Sequence, residues 1–129
     1  ALSDKNEIRD FYVEDYNLGS SLNEHKGKTK KIKVKCKRFD SLGIKIEKPC
    51  IMKIDTEGAE LKVLRGFGKM LKEIDVIQIE YVFDRRYNKT YDLGEAIKIL
   101  NSFEFYNFIQ RAVRYKDNKL LNCDLVFWR

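Results

Sequence analysis

Two carboxylates at a chain reversal, and a third one strand later, are the residues of this sequence best placed to do chemistry. Asp55 and Glu57 lie in Asp55-Thr-Glu-Gly58, directly after the apolar run Ile51-Met-Lys-Ile54, and Glu80 stands near the end of a second run, Val76-Ile-Gln-Ile-Glu-Tyr81. Acids so placed can remove a proton, accept a hydrogen bond from a bound group, or offer hard oxygen ligands to a cation. Their spacing specifies no metal, and none is expected. A structural role competes: Asp55 or Thr56 can cap a following helix, while Glu57 and Glu60 in its first turn favour the helix dipole by about 0.3–1 kcal/mol each. Gly58 would then serve only to let the turn pass close to a neighbour, and Glu80 would be an exposed strand end.

The elements that must position these acids follow from the hydrophobic spacing. Residues 50 to 55 read as a nearly continuous apolar strand, with Pro49 just before it. From Glu57 the period becomes helical, with Leu61, Leu64, Phe67 and Leu71 close to one face, and Gly66 and Gly68 predict a break near its far end. Residues 74 to 82 form a β-branched run suited to a buried parallel strand, which completes a right-handed βαβ unit. Ligands of open α/β sheets bind beyond the carboxyl ends of such strands, so the acidic turn is a candidate functional rim. Upstream, Ala1-Leu-Ser reads as the end of a strand, residues 7 to 13 as the next, 17 to 25 as a polar loop, and 31 to 37 as a strictly alternating strand. A short turn is predicted at Phe39-Asp-Ser-Leu42. Downstream, Leu93, Ala96, Ile97 and Leu100 predict a helix of about three turns. Aromatic-rich strands at 103–109 and 124–128, with a turn at 116–119 between them, predict an antiparallel pair closing the sheet edge.

Composition bounds the rest. At 129 residues and 15.3 kDa the chain suits one domain with a real core. With 43% hydrophobic and 36% charged residues and a single Pro, it reads as ordered. No apolar run approaches the roughly 20 residues of a membrane span, and Ala1-Leu-Ser-Asp-Lys5 lacks the segments of a signal peptide, so a cytoplasmic setting is expected. Cys36, Cys50 and Cys123 are odd in number and far apart, and His25 is the single histidine, which argues for buried reduced thiols over disulfides or structural zinc. The net charge of +6 concentrates in residues 26–38, with eight basic residues in thirteen positions and no acid. A polyanion partner is one reading. The alternation of Lys31-Ile-Lys-Val-Lys-Cys-Lys37 instead suits a strand with one solvated face, and the absence of interleaved aromatics argues against nucleic acid.

Taken jointly, Ile54-Asp-Thr-Glu-Gly-Ala-Glu-Leu61, Val63-Leu-Arg-Gly66, Ile77-Gln-Ile-Glu80, Ser20-Ser-Leu22 and Phe39-Asp-Ser-Leu42 resemble the FkbM-type S-adenosylmethionine-dependent methyltransferases. The resemblance implies an α/β fold: a Rossmann-like methyltransferase sheet, incomplete at the N-terminus, with a C-terminal antiparallel strand pair, in a single domain over residues 1–129. It also implies S-adenosyl-L-methionine as cofactor and O-methylation of a hydroxyl on a sugar or small natural product. Such transfer is an in-line displacement at a sulfonium methyl, which needs an aligned acceptor and a group to remove its proton.

On this resemblance Asp55 and Glu57 are candidate catalytic residues, Ser3, Asp4 and Asp55 candidate cofactor contacts, and Ser20, Ser21 and Glu80 candidate substrate contacts. His25 could take the hydroxyl proton, or be a surface residue of a lysine-rich loop. None of the seven glycines makes a G-x-G-x-x-G turn, so the resemblance covers the C-terminal part of such a domain, expected to bind cofactor poorly and to be inactive alone. The alternative is a non-catalytic module that holds an anionic partner through the basic segment. An unpaired sheet edge could also pair with another chain.

Overall fold

The computed structural model describes residues 1–14, 19–24, 29–83 and 91–129. His25 and part of the lysine-rich loop lie outside these residues.

Strands β1 (Glu7–Glu14) and β2 (Thr29–Cys36) pair antiparallel as a two-stranded sheet of their own. A second sheet contains β3 (Ile51–Ile54), β4 (Val76–Val82), β5 (Asn107–Lys116) and β6 (Lys119–Trp128) in the spatial order β3-β4-β6-β5. Only β3 and β4 run parallel; β4–β6 and β6–β5 are antiparallel. Among the described residues the α-helices are α1 (Glu60–Phe67) and α2 (Leu93–Asn101). The α/β class and the closing antiparallel pair are therefore as the spacing predicts. Its hairpin stands apart because its apolar face is small: Phe11 and Val34 join only Leu22, Cys36 and Ala59, while Lys30, Lys31, Lys33 and Lys35 face solvent. Two of those lysines are engaged within the hairpin, since Lys31 and Lys33 reach Asp10 at 3.6 and 2.6 Å.

Helix α1 is shorter than its apolar period. It cannot begin before residue 60, because Glu57 and Gly58 take φ values of +53° and +95°. Beyond Phe67 the chain tightens into a 3₁₀ turn, Gly68–Glu73, which still buries Leu71. Helix α2 is capped by Asp92, whose carboxylate accepts from the Glu95 N–H at 3.2 Å.

Both helices lie against one face of the four-stranded sheet, where Ile54, Leu64, Leu71, Ile77, Ile79, Leu100, Phe105 and Phe127 are almost fully buried. Each such side chain contributes about 1.5–3 kcal/mol by leaving water. Strand alternation sends the other residues to the opposite face. There Lys53 stands across from Gln78 and Glu80 across from Asp124, and Gln78 donates to Asp124 at 2.7 Å.

The hairpin is fastened to this core at its base. Arg38 grips Asp40 with two hydrogen bonds and also donates to the carbonyls of Asp4 and Arg65, while Phe39 stacks on Phe67 at 4.1 Å. Cys36 and Cys123 are buried and Cys50 half-buried, all as free thiols. Among the described residues no helix is long and apolar enough to cross a membrane.

Close backbone packing sets a sharp constraint at α1. A Cβ on Gly66 would fall 2.1 Å from the Ser3 carbonyl oxygen. Gly66→Ala is therefore expected to destabilise the protein by about 1–3 kcal/mol, read as a lowered denaturant midpoint. An unchanged midpoint would mean that the segment from Ala1 to Asp4 does not pack on α1.

Candidate functional site

Parallel pairing of β3 with β4 sets Ile54 beside Ile79, so the next residue on each strand, Asp55 and Glu80, meet at the carboxyl end of the pair. Glu57 reaches the same place from the turn, and a carboxylate oxygen of each of the three lies within 4.8 Å of the others. Asp55 is exposed, and Glu57 and Glu80 are half-buried. Lys53, two residues before Asp55 and on the same face, holds it at 2.7 Å, and that contact raises the lysine pKa. The three acids could receive a hard cation, but this ammonium already serves Asp55.

Glu80 feels the cluster most. Desolvation by burial, then repulsion from Asp55 and Glu57, pushes its carboxyl up to about 6, opposed by a hydrogen bond from the Asn122 amide at 2.5 Å. Asn122 is itself buried. Behind Glu80, the buried Tyr91 hydroxyl donates to its backbone carbonyl at 3.0 Å, and burial raises the pKa of that phenol. A carboxylate whose pKa approaches neutrality is a stronger base than an ordinary surface acid and is still ionised at pH 7.

The turn is not held by a conventional cap. Residue Ala59 occupies the N-cap of α1 without a side-chain hydrogen bond, so neither Asp55 nor Thr56 fills the capping role open to them in the sequence. Instead the buried Glu60 folds back: its Oε1 accepts from the Thr56 N–H at 3.0 Å, the Thr56 hydroxyl at 3.2 Å and the Gly58 N–H at 3.0 Å. Burial raises its pKa despite these bonds.

Beside the acids lies a mostly apolar cavity of about 370 Å³, bounded by Leu2, Phe11, Leu22, Met52, Ile54 and Phe67 and reaching Ser20, Asp55 and Thr56. The remaining candidates divide around it. Ser20 lines the cavity, though its hydroxyl accepts the Glu14 N–H at 3.1 Å. Ser21 is buried and committed to the turn, donating to the Glu57 carbonyl at 2.8 Å. Ser3 is fully buried and bonds to Asp4 at 3.1 Å, and neither residue lines the cavity. The structure thus gathers Asp55, Glu57 and Glu80, sets Ser20 with Asp55 on the cavity wall, and leaves Ser3 and Asp4 off it.

Three residues join that sequence reasoning gave no site role. Glu60 reads as a dipole-favouring acid, and only its burial shows the turn-holding task. Asn122 is a polar residue amid the apolar pattern of β6, which is a weak signal on its own. Tyr91 carries no sequence signal.

A family model, the methyltransferase FkbM domain, matches residues 3–109. The chain belongs to that family. No curated protein and no solved structure matches it.

The raised pKa of Glu80 has a stability consequence. A carboxyl with a folded pKa above its unfolded value favours the fold below the unfolded pKa, and that contribution is lost as pH rises through about 6. Glu80→Gln is expected to unfold later than the wild type at pH 7.5, by about 1 kcal/mol after allowing for solvent screening, and to show no gain at pH 4. A gain of the same size at both pH values would contradict the shift.

Proposed function

We infer that this chain, as a member of the FkbM methyltransferase domain family, serves S-adenosylmethionine-dependent methyl transfer to a hydroxyl of a sugar or other small natural product. The observation that carries this reading is the convergence of Glu57 and Glu80 on Asp55, which itself lines an apolar cavity. The residues present fit part of the cofactor. Leu2, Leu22, Met52, Ile54 and Phe67 offer an apolar wall suited to an adenine ring, and the Asp55 carboxylate at the rim suits a ribose hydroxyl or a sulfonium charge. When bound, the cofactor supplies an electrophilic methyl group.

The acceptor is then the concern of this chain's own acids. Glu80 accepts a hydrogen bond from the acceptor hydroxyl and takes its proton, because burial and then repulsion from Asp55 and Glu57 raise its proton affinity. Asn122 keeps the Glu80 carboxylate aimed, and Asp55 with Lys53 fixes the cavity side of the rim. Unpaired thiols fit a reducing compartment, and we place the reaction in the cytoplasm on that ground.

Without a glycine-rich turn in the sequence, the cavity wall and Asp55 must supply the affinity of this chain. Titration with S-adenosylmethionine, followed by amide chemical shifts, is expected to show binding weaker than about 0.1 mM, with shifts concentrated at Leu22, Met52, Ile54 and Phe67. Asp55→Asn should weaken it about tenfold, the worth of one charged hydrogen bond. Shifts confined to the polar sheet face around Gln78 and Asp124 would sink the assignment of the cavity. Micromolar binding would refute the expectation of weak affinity.

A further inference from the structure

The acidic turn is gripped from both sides. Glu60 Oε1 receives the N–H groups of Thr56 and Gly58 and the Thr56 hydroxyl, at 3.0, 3.0 and 3.2 Å. From the other side Ser21 Oγ donates to the Glu57 carbonyl at 2.8 Å and lies 3.4 Å from that of Thr56. Both clamping residues are buried, at 2% and 1% exposure. Ser21 is itself anchored, since its backbone N–H and C=O pair with those of Tyr12 in β1 at 3.0 and 2.8 Å. Between the two grips Glu57 holds a φ of +53°, a conformation that costs an L-residue about 1–2 kcal/mol. Left-handed backbone at a non-glycine residue persists only where its surroundings over-determine it.

The second oxygen of Glu60, Oε2, has no partner among the described residues. A carboxylate buried only to support a helix start would be costly to keep there, since a neutral cap does that work. Its three hydrogen bonds all go to the turn.

We propose that Glu60 and Ser21 are positioning residues of the methyl-transfer site, acting as a two-sided clamp on Thr56–Gly58 that presents Glu57 to Asp55 and Glu80. This assignment rests on the functional reading above and deepens it. The clamp makes the hairpin part of the site, because Ser21 belongs to the segment bridged to β1. It also requires Glu60 to work by the placement of its acceptor atom, a role that glutamine can fill and alanine cannot.

Carboxyl NMR titration of Glu80 separates this role from mere support of the fold. The groups facing Glu80 are Asp55 and Glu57 from the turn, Lys53 from β3, Asn122 and Asp124 from β6, and Tyr91 at its backbone. The wild-type midpoint is expected near 6. Glu60→Ala and Ser21→Ala should each lower it as Glu57 swings away, while Glu60→Gln retains it. Should Glu60→Ala fail to fold, Ser21→Ala and Glu60→Gln decide alone. A midpoint unchanged in Ser21→Ala, or lowered in Glu60→Gln as far as in Glu60→Ala, would overturn the clamp while leaving the carboxylate cluster intact. An ordinary midpoint in the wild type would instead remove the cluster reading itself.

Discussion

Three carboxylates within 4.8 Å of one another repel, and a chain keeps them together only where its backbone on either side is more costly to release than the repulsion. At that distance two full charges oppose each other by about 1 kcal/mol in water and about 3.5 kcal/mol in a partly protein-like medium. The three hydrogen bonds on Glu60 Oε1 hold the turn against that repulsion. Two further reliefs are built in. Lys53 neutralises Asp55, and Glu80 holds a proton more readily than a free glutamate. The second relief is also the chemistry, because a carboxylate made proton-hungry by its neighbours is a base.

Much of the architecture can be traced to that constraint. The parallel register of β3 and β4 brings Asp55 to Glu80 across twenty-five positions of sequence. Gly66 lets the Ala1–Asp4 segment press against α1, and Arg38 binds the same segment to the base of the hairpin. The hairpin has too small an apolar face to join the main sheet. Its position still matters, since it delivers Ser21 to the turn and Phe11 to the cavity.

The α/β class, the parallel β3–β4 pair and the C-terminal antiparallel strands were legible because apolar spacing encodes which face is buried. Strand ends were less so: β5 is exposed along its whole length and its register with β6 shifts between Arg111 and Tyr115, so no buried-face alternation marks where it ends. The acids Asp55, Glu57 and Glu80 could be picked out by type and by their place after apolar runs. What no local pattern reveals is which acid points inward. Glu60 and Glu57 both fit the first turn of a helix on paper, yet positive φ at residues 57 and 58 delays the helix and turns Glu60 back beneath it. Ser21 was nameable but not its task, because its partners lie thirty-five and thirty-six residues away.

Asp55, Glu57 and Glu80 act as one electrostatic unit. Carboxyl NMR titration of Glu80 in the Asp55→Asn variant tests it most directly. The midpoint should fall below about 6 once the neighbouring charge is gone, with burial still holding it above that of a free glutamate. A midpoint that stays at its wild-type value in a folded Asp55→Asn protein would contradict it.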